Sequence, residues 1–208
     1  MIKLTNINKN FDQRIILSNV SLSISKNEFV CITGESGVGK TTLLNIIGLL
    51  DKPDSGELSL NGKINFTKRD ILRLRRQFFG YIFQDYLLMT DKTVEENINI
   101  SKCGNKKPDK KDANEIMKKA GLDLSYLNRK VYRLSGGEQQ KVALGRLMMK
   151  PYELLLADEP TGNLDYKNKR EVIEIFKDIK KAGKTIICVT HDKEVANSAD
   201  RIINLSKS

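Results

Sequence analysis

The segment Gly34-Glu35-Ser36-Gly37-Val38-Gly39-Lys40-Thr41 constrains this chain more than any other. It fits the pattern G-x-x-x-x-G-K-[ST]. A short apolar run with β-branched residues, EFVCIT at 28–33, precedes it and reads as a buried strand. The helical stretch TTLLNIIGLL follows, beginning at Thr41 and Thr42. The segment therefore sits in a tight turn between a strand and a helix. Its glycines let the main chain approach a ligand closely. Successive N–H groups can curl into a nest for phosphate oxygens, and the helix adds its positive N-terminal end. Lys40 supplies a full charge to β- and γ-phosphates, and the Thr41 hydroxyl is a hard oxygen ligand for Mg²⁺. This arrangement predicts binding of ATP with Mg²⁺.

Strands and helices alternate along most of the chain. Strands with polar interruptions are expected at 1–7 and 20–24, as an antiparallel flank, and another at 57–62 (ELSLNG). A charged helix is expected over 70–77 and a strand over 79–83. Residues 84–134 show helical patterns and no convincing buried strand, which predicts a helical subdomain between two parts of one core, 1–83 and 135–208. Alternation then resumes: a helix from Gly136, a strand at 153–157, a helix at 166–181, a strand at 185–190, a short helix, and a strand at 201–205. This order predicts an α/β fold with a mostly parallel sheet covered on both faces. Ligands of such sheets bind beyond the carboxyl ends of the strands.

At that edge two acids end the apolar strand LLLA: Asp158 and Glu159. Asp158 suits the metal, and Glu159 suits an attacking water as general base. Pro160 stiffens the exit from the strand. A second glycine pair, Ser135-Gly136-Gly137, precedes a helix. Ser135 is a good N-cap there, so taken alone the stretch reads as a capped helix start, or, with its two glycines, as a second anion site without a lysine. His191, the only histidine, directly follows the strand TIICVT and so emerges at the same edge.

Read in order, GESGVGKT, LSGGEQQ and LLLADEP resemble the nucleotide-binding subunit of an ABC transporter, across essentially the whole chain. The resemblance implies a P-loop NTPase fold and ATP hydrolysis. It makes Gln84, after GYIF, the glutamine that reaches Mg²⁺ and senses a membrane partner, and Asp165 the D-loop aspartate. By the same resemblance Phe11 stacks on adenine and His191 contacts the γ-phosphate. It also implies a head-to-tail dimer, in which each ATP lies between one P-loop and the Ser135, Gly136 and Gly137 of a second copy. FGYIFQDYLLMTDKTVEENI and ADEPTGNLD resemble the LolD/MacB/FtsE/BceA branch, which spans lipoprotein release, macrolide and peptide export, bacteriocin transport and cell division. A separate integral membrane permease is then the expected partner, and the inner face of the cell membrane the expected location. Gly145 departs from the alanine that the family prefers, with close packing as one reason.

Composition narrows the alternatives. No apolar run approaches the roughly 20 residues of a membrane span, and the N-terminus carries no signal-peptide h-region, so a cytoplasmic chain is expected. Ending soon after Leu205, the chain lacks the C-terminal regulatory domain of many importers, which counts against a sugar importer. Cys31, Cys103 and Cys188 are too few and too dispersed for a disulfide framework. The net charge of +10 is the one support for a DNA-repair or ribosomal ABC ATPase. Part of that charge lies at 101–119, where seven lysines face three acids, which reads first as a solvated helix face and next as a contact for anionic lipid.

Overall fold

Three strands with almost no exposed atoms form the centre of the molecule: β3 (Phe29–Thr33), β6 (Leu154–Asp158) and β7 (Thr185–Val189). In the computed structural model, which describes residues 1–101, 110–162 and 164–206 and only the backbone of 110–113, they belong to a five-stranded parallel sheet. Its order is β5-β6-β7-β3-β8, with β5 at Phe79–Ile82 and β8 at Arg201–Asn204. The remaining strands, β1 (Ile2–Phe11), β2 (Arg14–Ile24) and β4 (Ser55–Leu60), form a separate antiparallel sheet in the order β2-β1-β4. The helices are α1 (Lys40–Ile47), α2 (Lys68–Gln77), α3 (Val94–Asn99), α4 (Lys110–Lys119), α5 (Gly136–Met148), α6 (Tyr166–Lys181) and α7 (Lys193–Asn197).

Side-chain alternation divides the core. Val30, Ile32, Leu154, Leu156, Ile187 and Val189 face α1 and the antiparallel sheet. Phe29, Cys31, Leu155, Ala157, Ile186 and Cys188 face the opposite way, toward Leu144 and Leu147 of α5 and Val172, Ile173 and Phe176 of α6. Both faces of the parallel sheet are therefore apolar and covered, so its strands read as continuous apolar runs. Phe29 and Phe176 meet edge to face at 5.9 Å. Cys31 and Cys188 are register partners and fully buried, as small hydrophobes should be.

The antiparallel flank is longer than its sequence suggests. β1 and β2 run on to a hairpin turn at Asp12, whose φ is 52°, and pair Phe11 with Arg14. Register shifts along β1 interrupt the two-residue alternation, which hides residues 8–19 from a period-based reading. Between 84 and 134 the described residues form α3, α4 and two short 3₁₀ turns around a third apolar cluster of Val94, Ile98, Met117, Leu122, Val131, Leu134 and Val142. Val142 belongs to α5, so that helix serves both the sheet and the helical unit. Cys103, most of the lysine-rich stretch and Asn163 lie outside the described residues.

Gly145 sits where α5 crosses α3 and α4. A Cβ there would stand 3.3 Å from Ile116 Cγ2 and 3.6 Å from Ile98 Cδ1. Alanine gains about 1 kcal/mol of helix propensity over glycine, which the tight contact offsets. Urea unfolding should place Gly145→Ala within about 1 kcal/mol of the parent and show Gly145→Leu destabilised by about 1–3 kcal/mol through overpacking. A neutral leucine variant would show that the crossing is loose.

Candidate functional site

The phosphate loop leaves β3 and enters α1 without a side-chain cap, so the first N–H groups of the helix have no protein side chain to receive them. Gly39 holds φ 98°, and a Cβ there would lie 2.9 Å from the carbonyl oxygen of Ile16 and 2.8 Å from Leu17 Cδ2. Only glycine meets both conditions. Lys40 is buried and folds back over the loop, where Nζ donates to the carbonyls of Gly34 (2.9 Å) and Glu35 (2.8 Å). An ammonium held by two carbonyls is ready to exchange them for phosphate oxygens.

β6 ends beside this loop. The Thr41 hydroxyl donates to Asp158 Oδ1 at 3.1 Å. Burial pushes the Asp158 carboxyl above its ordinary value; the Thr41 hydrogen bond and the Lys40 charge oppose that shift, and the neighbouring Glu159 adds to it. The two oxygens are hard donors, and a cation between them would relieve the cost of burying the carboxylate, so the residues present fit Mg²⁺. The described residues hold no cluster of three or more His, Cys, Asp or Glu side chains suited to a metal.

Glu159 has φ 43°, in the left-handed region, and its N–H bonds the Val189 carbonyl at 2.9 Å. A non-glycine residue held there is a strained one, and such strain gathers at functional sites. Its carboxylate is aimed by two donors, Thr190 Oγ1 at 3.2 Å and the His191 N–H at 3.4 Å, and His191 Nδ1 lies 3.0 Å from its other oxygen. The His191 ring is otherwise exposed.

These groups open on one cavity of about 490 Å³, lined by Ser36, Gly37, Gly39, Lys40, Thr41, Thr42, Gln84, Glu159 and His191, with Val189, Arg14 and Ile16. Most sequence-predicted residues are thus brought together. Gly34, Glu35 and Val38 form the stem of the loop, and Val38 is buried in the core. Phe11, Ser135, Gly136, Gly137 and Asp165 do not line the cavity. Phe11 is half exposed and pairs in register with the cavity-lining Arg14, so it stands near the rim and outside the core. Ser135 caps α5 through a reciprocal box with Glu138, and Asp165 caps α6 through the N–H of Asn168 at 2.8 Å. A larger cleft of about 1170 Å³ between α4, α6 and α7 mixes lysines with glutamates and contains neither glycine loop nor catalytic group.

Sequence reasoning missed Arg14, Ile16, Thr190 and Arg146. Arg14 and Ile16 depend on the extended hairpin. Thr190, fully buried, was visible only as the last letter of an apolar strand. Arg146 of α5 donates to the carbonyls of Tyr86, at 2.7 Å, and Leu87. Both acceptors have positive φ, so the segment just after Gln84 is latched to the helix that Ser135 caps.

Comparison with known proteins places this geometry. Residues 17–162 match the ABC transporter family. The chain is 44% identical over 211 residues to the macrolide export ATP-binding/permease protein MacB of Campylobacter jejuni subsp. jejuni serotype O:23/36 (strain 81-176), covering 99% of this chain and 33% of that protein. It spans about a third of the length of such curated relatives. Among solved structures, the dimeric post-hydrolysis state of the ATP-binding cassette MJ0796 bound to ADP and Pi superposes with a TM-score of 0.89 at 38% identity, covering 99% of this chain and 94% of that one. cbiO1 from Clostridium perfringens, part of the ABC transporter complex cbiONQ, matches at a TM-score of 0.83 and 28% identity, with 98% and 84% covered.

The Asp158 environment gives a pH-dependent expectation. Its folded pKa is raised, so the ionised carboxylate costs stability above that pKa and the cost fades as pH falls through it. In thermal melts without nucleotide, Asp158→Asn should melt higher than the parent at pH 8, with the gap closing toward pH 4. A variant that melts lower at pH 8 would mean that the carboxylate stabilises the empty site.

Proposed function

Because this chain belongs to the ABC transporter family and is an ATPase domain of it, we propose that it turns over ATP with Mg²⁺ in a site completed by a second copy and so drives a membrane permease. The observation that supports this most directly is the convergence of Lys40, Thr41, Gln84, Glu159 and His191 on one cavity, with Asp158 bonded to Thr41.

The geometry supports the following roles. The N–H groups of the loop and of the α1 terminus take the β-phosphate, and Lys40 leaves its two carbonyls for the β- and γ-phosphates. Thr41 and Asp158 hold Mg²⁺, with Gln84 at the edge of that site. Mg²⁺ supplies charge neutralisation of the phosphate oxygens. Glu159, aimed by Thr190 and His191, accepts a proton from the attacking water. Phe11, on the rim, offers its exposed face to adenine. His191 Nδ1 lies on Glu159, which leaves Nε2 for the γ-phosphate.

The second copy supplies what the cavity lacks. Ser135, Gly136 and Gly137 stand at the N-terminus of α5, a second anion-binding helix start that does not reach its own chain's P-loop cavity. Supplied by a partner, it would close the site over the γ-phosphate, with Asp165 at the seam. ATP would then bind the closed dimer better than the open one, the condition for driving a conformational change. Dimeric MJ0796 is a solved precedent for two such cassettes together.

The membrane side is a permease, separate or fused. No helix among the described residues is long and apolar enough to cross a membrane, and the relatives named ATP-binding/permease proteins are about three times as long as this chain. We assign the chain to the inner face of the cell membrane, and its transport class to export or mechanical transmission acting on a drug, peptide, bacteriocin or lipoprotein. The basic charge had also allowed a DNA-repair or ribosomal ATPase, which none of the reported relatives supports.

Two variants test the assignment. Glu159→Gln should slow hydrolysis by about 10²–10⁴-fold, retain ATP binding, and accumulate an ATP-bound dimer on size-exclusion chromatography. Lys40→Ala should lose most nucleotide affinity by titration with a fluorescent ATP analogue. A Glu159→Gln chain that stays monomeric at saturating ATP and Mg²⁺, or a Lys40→Ala chain with normal affinity, contradicts the proposal.

A further inference from the structure

Half of the chain's excess charge lies in fifteen residues. Between Lys63 and Gln77 stand six cations (Lys63, Lys68, Arg69, Arg73, Arg75 and Arg76) and one acid, Asp70, against a net +10 for the whole chain. Most of them are on α2. Asp70 is taken up locally: it closes the capping box with Thr67 and meets Lys63 at 2.8 Å. Lys150 adds a further cation at the other end, where its Nζ bonds the Arg75 carbonyl at 2.7 Å.

The arrangement on the helix is more specific than its charge. α2 has no buried residue. It is seated on the core by Leu74, and Ile71 is half buried beside it. Leu72 points the other way and is 51% exposed. Residues three and four apart are neighbours on a helix surface, and the four such neighbours of Leu72 are Lys68, Arg69, Arg75 and Arg76. Lys68 and Arg69 therefore flank the apolar tip on its N-terminal side, while the Arg75 guanidinium is turned inward to the Leu49 carbonyl. The nearby cleft of about 570 Å³ is lined by Ile71 and Arg75 and does not include Leu72.

We propose that the outward face of α2 lies on an anionic phospholipid surface, with Leu72 entering the headgroup layer and the Lys68 and Arg69 heads beside it meeting lipid phosphates. Long cationic side chains can lay their stems along the apolar boundary while their heads stay hydrated. A smeared negative surface asks only for cations of one sign around an apolar tip. An acidic protein asks in addition for fixed pairing geometry. This contact needs no nucleotide, so it stands or falls apart from the ATPase roles of Lys40 and Glu159.

The chain contains no tryptophan, so Leu72→Trp installs a single fluorescent reporter at the tip. With vesicles of phosphatidylcholine and phosphatidylglycerol, that variant should show a blue-shifted emission that vanishes with pure phosphatidylcholine and weakens as salt is raised. In flotation assays the unmodified chain should partition onto the mixed vesicles. The Lys68→Glu/Arg69→Glu variant should lose more than about tenfold in partitioning, from roughly fivefold per unit of charge. The Lys26→Glu/Lys167→Glu variant, with the same change of net charge elsewhere, should retain partitioning, and far-ultraviolet circular dichroism should show both double variants folded. Equal losses in the two double variants, no preference for the anionic vesicles, or an emission shift produced by soluble polyglutamate but not by vesicles would each overturn the proposal.

Discussion

The parallel register of β3, β7 and β6 is the constraint on which the site depends. Ile32 and Asp158 are both register partners of Val189, so the three strands end in one row. The residues just past that row are the phosphate loop, Glu159 and the pair Thr190 and His191. A one-residue slip would turn each of these side chains to the opposite face. The apolar runs that fix the register also fix the chemistry. FVCIT, LLLAD and TIICV bury both faces, and the first polar group after each run is delivered to the same edge.

That edge is strained and costly to maintain. Asp158 is a buried carboxylate with a raised pKa, and Glu159 occupies a backbone region that disfavours side chains. Neither feature helps the empty chain fold. Both make sense if the ligand brings the missing charge, with Mg²⁺ against Asp158 and phosphate against Lys40. The two hydrogen bonds to Glu159 and the His191 ring beside it hold it in one orientation before any substrate arrives, the kind of preorganisation that the proposed role as general base requires.

The sequence made visible whatever a period or a glycine pattern can carry. The parallel strands were legible as apolar runs, the loop as glycines around Lys40, and the acids as an abrupt end to an apolar strand. The β1–β2 hairpin was not, because its bulges break the alternation, and Arg14 and Ile16 were lost with it. Thr190 was invisible because a buried hydroxyl at a strand end looks like ordinary β-propensity until its partner, Glu159, is placed. Arg146 belongs to neither pattern: its role is to hold two carbonyls sixty residues away in a left-handed turn. Ser135 and Asp165 were found by motif, and within one chain both act as helix caps. The ATP-facing roles proposed for them need a second copy.

That division of the site between two chains is tested most directly by mixing two inactive variants. Lys40→Ala disables the phosphate loop, and Ser135→Arg disables the opposing helix start. In a two-fold dimer the mixed pair contains one site with both halves intact, so an equimolar mixture should recover about a quarter of the parent's steady-state ATPase activity while each variant alone stays near background. Full activity of Ser135→Arg alone, or no recovery on mixing when the two chains are shown to associate, would mean that the site is complete within a single chain or is built differently.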